Sequence, residues 1–256
     1  MWMMVVIAFK NKYQFDVSRW SLTFPWRVGN FKAAWEVVSN YILNTTFIGV
    51  IGVAGVLTLS LVGGHVFAVL RFRGKKQLFL MIIALLSVPF VLSFIPSYML
   101  FLSLGFHNTR WALIIPNWAS GQVFGIFLMR ATIAGIPREL YEASKIDGTI
   151  VFQDIFHISF PLAKSSMATL MVANFLSVWN WFLWPLVIIT DSRKQLISVG
   201  LAKLQSRMFA DEWAVQFAYW GPEFAAYITA TLPLILLFIF IGKYYVEGMI
   251  GSGLKL

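Results

Sequence analysis

Long apolar runs separated by short polar segments form the pattern of this chain. A helix that crosses a bilayer needs about 20 predominantly apolar residues, and five runs approach or exceed that length with no Asp, Glu, Lys or Arg in their cores. The predicted spans are residues 44–70, 78–104, 111–128 with an extension to 136, 166–190 and 224–241. Pro89 and Pro96 are expected to kink the second span. The pattern predicts an all-α, polytopic helical membrane protein.

Residues 1–9, MWMMVVIAF, are apolar but too few to cross a bilayer. They carry neither the basic residues nor the cleavage site of a signal peptide. We interpret them as the remnant of a first span whose beginning is missing, which makes about six spans with the first incomplete. Since no repeat or low-complexity run interrupts the pattern, we predict a single transmembrane domain over residues 1–256.

The polar segment at residues 137–161 carries helix start and stop signals. Pro137 suits the first turn of a helix, Gly148 suits the left-handed residue that ends one, and Pro161 ends a second helical run. One face of the first helix holds Leu140, Ala143 and Asp147, and an apolar stripe of the second holds Val151, Phe152, Ile155 and Phe156. Such a pair of helices either docks a partner protein or lies on lipid headgroups as an interfacial hairpin.

The composition supports a membrane protein and the charge indicates its orientation. Hydrophobic residues make up 59% and charged residues 12% of the chain, and the mean hydropathy is +0.76. The net charge of +9 indicates basic residues beside anionic headgroups rather than a nucleic-acid partner. The 20 basic residues divide equally between the two sides, so the orientation rests on RFRGKKQ at residues 71–77. This segment predicts that residues 136–165 are cytoplasmic and that residues 10–41 and 191–223 lie outside.

The residues do not support chemistry within this chain. The phosphate-binding motif of ATPases is missing from the sequence, and no ionisable group lies in a span core to carry protons. His65, near the end of its span, is interpreted as a packing or interface residue. His65, His107 and His157 lack metal-ligand spacing, and the sequence has no cysteine for disulfides or thiolate sites. The chain is therefore predicted to be a non-enzyme without cofactor or metal.

Residues 142–161 carry a spacing found in one family of transport proteins. The pattern E-A-x, three residues, G, nine residues, I-x-x-P is met by Glu142, Ala143, Ser144, Gly148, Ile158 and Pro161. It resembles the EAA loop of the inner-membrane permeases of binding-protein-dependent ABC importers. Residues 94–116, 179–201 and 244–256 resemble the maltose-type carbohydrate permeases, on the side of the smaller subunit of the pair. Ser144 and Phe160 depart from the usual alanine and leucine.

The resemblance implies an ABC importer type I transmembrane domain whose cytoplasmic loop, residues 137–161, inserts into a cleft of a separate ATPase. The implied coupling residues are Glu142, Ala143, Ser144, Asp147, Gly148, Ile158 and Pro161. Ala143 and Ser144 would allow close approach of the partner. Ile158 and Pro161 would pack the second helix against the spans. Glu142 is alternatively a solvated helix charge, and Asp147 and Gly148 are alternatively ordinary capping residues.

The implied partners are a homologous second permease, an ATPase dimer that binds ATP and Mg, an extracytoplasmic solute-binding protein and membrane lipid. The binding protein is expected to dock on residues 10–41 and 191–223. The resemblance implies multi-pass insertion in a bacterial or archaeal plasma (inner) membrane. The alternative function is a stand-alone channel or facilitator for small polar solutes, which would purify without an ATPase.

Uncharged polar and aromatic side chains within the spans are candidates for a translocation path. They are Asn117, Gln122, Asn174, Ser177, Asn180, Trp181 and Trp184. The members at helical spacing, expected on one face, are Asn174, Ser177, Trp181 and Trp184. Amides, hydroxyls and aromatic rings suit a neutral sugar or oligosaccharide. A polyol or a glycerol phosphate is an alternative cargo. The same residues also fit helix packing and aromatic belts at the membrane surface.

Overall fold

The computed structural model describes residues 2–208 and 220–253, with side chains over residues 2–204 and 220–243. Over these ranges the chain is helical without strands, which confirms the all-α prediction. The helices are α1 (Trp2–Ala8), α2 (Lys12–Val17), α3 (Gly29–Val69), α4 (Lys75–Ala84), α5 (Phe90–Ser103), α6 (Trp111–Ala134), α7 (Arg138–Ile146), α8 (Val151–Asp154), α9 (Phe160–Leu162), α10 (Lys164–Trp179), α11 (Leu183–Ile188), α12 (Ile197–Met208) and α13 (Gly221–Gly253). Turns of 3-10 helix cover Leu85–Ser87 and Ser192–Lys194, and a π-helical turn covers Ile155–Ser159.

Three helices are individually long and apolar enough to cross a membrane: α3, α6 and Gly221–Lys243 of α13. Two bent helix pairs raise the number to five among the described residues if each pair is one span. This number equals that of the complete spans predicted from hydropathy. Helix α1, at seven residues, is too short to cross alone.

Helix α3 starts earlier than hydropathy predicted. It begins at Gly29 and runs for 41 residues, whereas the apolar run begins at residue 44. A helix of that length measures about 60 Å, twice the hydrocarbon thickness of a bilayer. Its first turns, which carry Lys32, Glu36 and Asn40, therefore project into the predicted outside segment. Hydropathy marks only the part of a helix that lies in lipid.

The second predicted span is broken at Pro89 rather than gently kinked. The helical segments Lys75–Ser87 and Phe90–Ser103 meet at an angle of 99°. Val88 is extended, with φ −80° and ψ 115°, because the ring of a following proline disfavours the helical conformation. Pro96 lies inside α5 without ending it, so only one of the two predicted prolines breaks the helix.

The fourth predicted span, residues 166–190, is shorter than predicted, because α10 ends at Trp179 and α11 starts only at Leu183. Pro185 accounts for the break, since it has no N–H to donate to the carbonyl of Trp181 and its ring would clash with that carbonyl. The Trp181 carbonyl instead accepts a hydrogen bond from Ser198 Oγ at 2.6 Å. The prediction that Asn174, Ser177, Trp181 and Trp184 share one helical face is therefore wrong.

The residues group into two compact units. One consists of residues 1–47 and 179–236, and the other of residues 48–178 and 237–256. A single permease domain over residues 1–256 stays a prediction.

Within the first unit, the second predicted outside segment contacts residues 40–45, where the first outside segment meets the first predicted span. Asn40 and Asn44 donate through Nδ2 to the carbonyl of Arg193 at 2.9 and 2.6 Å. The Ile197 N–H donates to Thr45 Oγ1 at 2.8 Å. These bonds fix the position of residues 193–197, part of the surface on which a binding protein was predicted to dock. Residues 209–219 of the second segment lie outside the described residues.

Within the second unit, α3 and α6 approach closely at a glycine. A Cβ on Gly64 would lie 2.3 Å from Met129 Cβ and 2.9 Å from the Met129 backbone. Small residues at such contacts are the usual means by which membrane helices pack tightly. The close packing continues into an apolar cluster beneath the loop at residues 137–161.

Candidate functional site

The first helix of the loop, α7, has the predicted ends. Pro137 is its N-cap, and Gly148 adopts φ +78° just beyond its C-cap, Asp147. The Thr149 N–H donates to the Ser144 carbonyl and the Gly148 N–H to the Lys145 carbonyl, both at 3.1 Å. This pair of bonds is a Schellman motif, which needs a left-handed residue at the position of Gly148. The chain reverses there into α8.

One side of the loop is exposed and largely apolar. Leu140, Ala143 and Asp147, the predicted docking face of α7, are all exposed. Ile146 is 87% exposed, and the neighbouring Phe152 across the glycine bend is 62% exposed. Exposed apolar side chains of this size, outside any helix long enough to cross a membrane, indicate an interaction surface.

The predicted apolar stripe of the second loop helix is split between two environments. Phe152 and Phe156 are exposed, with ring centroids 4.7 Å apart, and Val151 is exposed beside them. Ile155, however, is only 3% exposed and packs inward. The stripe therefore does not present a single face, because the helix changes its period after Asp154.

The opposite side of the loop is buried and polar. Asp154, only 3% exposed, accepts hydrogen bonds at Oδ1 from Ser144 Oγ and Thr149 Oγ1, each at 2.8 Å. These bonds fasten α7 and α8 to each other across the Gly148 bend. Ser144 was predicted to allow close approach of a partner, but it is buried and serves the internal packing of the loop instead.

The π-helical turn Ile155–Ser159 sets which residues face inward. Residues five apart in an α-helix point about 140° apart, whereas i→i+5 bonding in a π turn brings them to nearly the same side. The Phe160 N–H donates to the Ile155 carbonyl, which is this longer bond. Asp154 and Ser159 are consequently both buried, at 3% and 0% exposure. Such turns occur frequently at functional sites.

A second set of hydrogen bonds joins the loop to a membrane helix. Ser159 Oγ lies 2.8 Å from His65 Nδ1 and 2.9 Å from Tyr141 Oη. The serine hydroxyl can thus donate to one and accept from the other, linking α7, the π turn and α3. Burial raises the pKa of the Tyr141 phenol, and the nearby Asp154 acts in the same direction against the Ser159 hydrogen bond. Tyr141 therefore stays protonated at physiological pH.

An apolar cluster supports these hydrogen bonds from the membrane side. Its buried members are Leu61, Met129, Ile133, Tyr141, Ile155, Ala163 and Met167. Ile158, one of the predicted coupling residues, packs against it and is partly buried. Pro161 is also half-buried. The loop therefore rests on the ends of α3 and α6, which belong to the membrane-crossing part.

The carboxyl end of α3 is held by two basic residues. Lys75 Nζ donates to the carbonyls of Ala68 and Leu70 at 3.2 and 2.7 Å. Arg130 Nε donates to the Phe67 carbonyl at 3.3 Å, and its guanidinium lies 4.0 Å from the Phe79 ring centroid. Cations are favourable at this end of a helix because they meet the unpaired carbonyls and the negative end of the helix dipole.

The candidate path residues differ in their burial. Asn117 and Asn174 are 5% and 7% exposed, and Trp184 is 1% exposed. Asn117 Oδ1 would lie 2.6 Å from a Cβ on Gly52, so it packs against α3. Gln122 and Trp181 are half-buried, and Ser177 and Asn180 are exposed. Helix packing describes the three buried residues better than a path does.

The sequence analysis missed the buried polar residues of the loop. Asp154, Tyr141, Thr149 and Ser159 were not singled out. The available signal was an aspartate within an otherwise apolar helical run, since a buried carboxylate requires hydrogen-bond donors nearby. Among the described residues, no group of three or more His, Cys, Asp or Glu could hold a metal ion.

The comparisons with known proteins agree with this geometry. A family model described as "Binding-protein-dependent transport system inner membrane component" matches residues 56–251, which include the whole loop and its hydrogen bonds. The chain belongs to this family. It is a permease subunit of an ABC importer, and it is a multi-pass protein of the inner membrane.

Individual relatives resemble this permease over most of its length. A probable ABC transporter permease protein, YurM of Bacillus subtilis, is 30% identical over 98% of the chain and 82% of its own length. The diacetylchitobiose uptake permease NgcG of Streptomyces coelicolor is 29% identical over 90% of the chain and 75% of its length. The lactose permease LacG of Rhizobium radiobacter is 32% identical over 82% and 73%.

A solved structure shares the fold of this permease. A chain in the crystal structure of a bacterial ABC transporter involved in import of the acidic polysaccharide alginate superposes with a TM-score of 0.84. The match covers 95% of this permease and 89% of that chain at 22% identity. The predicted ABC importer transmembrane fold is thereby confirmed.

Proposed function

We propose that this permease carries a sugar or oligosaccharide that an extracytoplasmic solute-binding protein delivers. Three relatives support the cargo class, since they are described as permeases for diacetylchitobiose, arabinooligosaccharides and lactose. Another, for sn-glycerol-3-phosphate, keeps a phosphorylated polyol within the range of substrates. A second homologous permease completes the path, and a separate ATPase dimer binds ATP and Mg and supplies the energy.

The loop at residues 137–161 is the element through which that ATPase acts on the permease. The observation that carries this proposal is that the loop has two different sides. One side is exposed and includes Ile146 and Phe152. The other side is buried and hydrogen-bonded to α3 through Ser159 and His65. An apolar exposed surface gains free energy when a partner covers it. A buried hydrogen-bonded side resists deformation, since breaking it leaves unpaired polar groups.

Motion of the ATPase would therefore move the loop as one body. Asp154 holds α7 to α8, Ser159 holds Tyr141 to His65, and the apolar cluster holds all of them to α3 and α6. Glu142 is exposed on α7, where its carboxylate can accept hydrogen bonds from the partner. Gly148, with φ +78°, sets the angle between the two helices.

Docking is tested by placing a charge on the exposed apolar side. We expect Ile146→Glu to abolish co-purification of the ATPase, because a carboxylate would have to be buried in an apolar contact. Val17→Glu makes the same change at an exposed valine of α2, on the predicted outer side, and should leave co-purification intact. Equal retention of the ATPase by both variants would show that the loop tip is not the docking surface.

Coupling is tested by reversing the charge of Glu142. In proteoliposomes with the complete importer, Glu142→Lys should insert normally but hydrolyse ATP without matching uptake. Glu139→Lys reverses a charge in the first turn of the same helix and serves as the control. Uptake at the parent rate in vesicles that hold the permease without an ATPase would instead identify a facilitator.

A further inference from the structure

A cavity of about 610 Å³ opens beside the loop, between the carboxyl ends of α3 and α6 and the helix α7. Its volume falls within the range of about 300–1,000 Å³ typical of small-molecule sites. Three basic side chains line it: Arg71, Arg138 and Lys145. Among the described lining residues, Glu142 is the single acid, so the cavity carries a net positive charge.

The three basic side chains are not used by the fold. Arg71, Arg138 and Lys145 form no ion pair with, and donate no hydrogen bond to, any described group. Lys75 and Arg130, in contrast, are occupied by the carbonyls at the end of α3. Basic residues that stabilise no internal partner are available for a ligand.

The remaining wall of the cavity is apolar and belongs to the ends of membrane-crossing helices. Val69 ends α3, and Leu70 and Phe72 follow it. Ile133 lies in the last turn of α6, and Ile136 follows that helix. A ligand in this cavity meets cations on one side and aliphatic surface on the other. A phospholipid has this combination, with a phosphate at the level where helices leave the bilayer and acyl chains below it.

We propose that this cavity binds the headgroup phosphate of an anionic phospholipid. The guanidinium groups of Arg71 and Arg138 contact the phosphate oxygens as charged donors, and Lys145 adds a third charge from α7. Basic pockets between membrane helices on the cytoplasmic side are a recognised form of anionic lipid site. The lipid would bridge the ends of the spans and the loop helix, so its presence would hold α7 against the membrane.

The test compares two pairs of neutralising substitutions of equal charge. The permease is purified in neutral detergent and mixed with phosphatidylglycerol and phosphatidylcholine, and retained lipids are counted by native mass spectrometry. Arg71→Gln/Arg138→Gln removes two charges from the cavity, whereas Arg73→Gln/Lys76→Gln removes two exposed charges from the same turn that do not line it. Each basic residue near an anionic lipid strengthens binding about fivefold, so we expect the cavity pair to weaken phosphatidylglycerol retention about thirtyfold.

The control pair should retain phosphatidylglycerol as the parent does. Equal losses in both pairs would show diffuse attraction and overturn the site, as would equal retention of phosphatidylcholine by the parent. Inorganic phosphate is the second probe: displacement of the lipid by millimolar phosphate would indicate a free-anion site instead. If the cavity pair lost the ATPase while keeping the lipid, the cavity would receive the partner protein. That outcome would overturn the lipid assignment and leave the proposed coupling role of the loop standing.

Discussion

The two bent helix pairs of this permease have similar angles and opposite physical character. The pair Lys75–Ser87 and Phe90–Ser103 bends by 99°, and the pair Val151–Leu162 and Lys164–Trp179 bends by 81°. The first bend is surrounded by exposed apolar side chains, such as Leu86 and Val91. The helical segment that leads into the second bend carries Asp154 and Ser159, which are buried and hydrogen-bonded.

This difference shows that a bend alone does not identify a functional element. At Pro89 the backbone turns because proline disfavours a helix at the preceding residue, and no side-chain hydrogen bond among the described residues ties the bend to another helix. On the loop side of the second bend, side-chain hydrogen bonds join the π turn to α3 and α7. Under the proposed coupling role, force applied to the loop would reach α3 through these bonds, whereas the first bend could relax locally.

The largest expected effect comes from removing the acceptor that joins α7 to α8 across the Gly148 bend. Asp154→Ala removes the hydrogen bonds that Oδ1 accepts from Ser144 and Thr149, at about 0.5–1.5 kcal/mol for each. The two hydroxyls keep the backbone carbonyls of Tyr141 and Ser144 as acceptors, but these bonds do not reach α8. We expect a lower thermal unfolding temperature and loss of ATP-dependent uptake. Leu86→Ala, at the apolar bend, should change both quantities little. Asp154→Asn keeps one oxygen acceptor and should recover part of the stability; full activity of Asp154→Ala would refute the network.

A second pair of substitutions applies equal backbone strain to each region. Gly148 and Gly105 have φ of +78° and +73°, and a Cβ at either would meet nothing within 4 Å. Valine at each position costs about 1–2 kcal/mol from the left-handed conformation alone. We expect Gly148→Val to insert but to separate ATP hydrolysis from uptake.

The matching variant Gly105→Val, which follows the apolar pair, should lose similar stability and keep its coupling. The measurement is the ratio of sugar taken up to ATP hydrolysed in proteoliposomes. If both variants preserved that ratio, the angle of the loop would have no role in coupling.

A smaller effect is expected from removing one hydroxyl in each region. Tyr141→Phe removes the hydrogen bond to Ser159 and should lower the free energy of unfolding by about 1 kcal/mol. Tyr98→Phe, in α5, removes a half-buried hydroxyl with no hydrogen bond among the described residues and should be nearly neutral. Chemical denaturation of both purified variants measures the difference.

The effect of Tyr141→Phe should also be independent of pH from about 6 to about 9. An ordinary phenol titrates near pH 10, and burial raises the pKa of Tyr141 further. The folded and unfolded states therefore both keep the proton over this interval. Stability from this group falls only at higher pH, between the unfolded pKa and the higher folded pKa. A loss of the difference below pH 9 would contradict the buried, protonated phenol.

The smallest effect is expected at the apolar bend itself. Pro89 has φ −62° and ψ 129°, a conformation that alanine adopts without strain. Pro89→Ala mainly increases the freedom of the unfolded chain, which lowers stability by about 0.4–1 kcal/mol. Uptake should remain close to that of the parent; a large loss would mean that this bend is as constrained as the loop.

Much of the fold and part of the site could be predicted from the sequence. Hydropathy predicted the helical membrane architecture, and Pro137 and Gly148 predicted the ends of α7 because their conformational preferences are local. The break after Trp179 was missed even though Pro185 was visible, since prolines are often tolerated within membrane helices. Pro96 shows the same ambiguity, because it leaves α5 intact.

The buried half of the loop could not be predicted in the same way. Whether Ser144 faces a partner or the interior depends on where α8 lies, and whether Ser159 faces inward depends on the π turn. The inward position of Ser159 also requires His65, which is 94 residues away in the chain. Periodicity assumes a regular helix, so one extra residue in a turn changes every assignment that follows.

The sequence by itself determined which segments enter lipid, which residues begin and end the first helix of the loop, and the family to which the permease belongs. These properties follow from transfer free energies and backbone preferences that each residue carries wherever it lies. Only the tertiary structure decided which loop side chains are covered and which cations are left without a partner. Both depend on packing between distant segments, because a polar group is satisfied by whatever neighbour the fold places beside it.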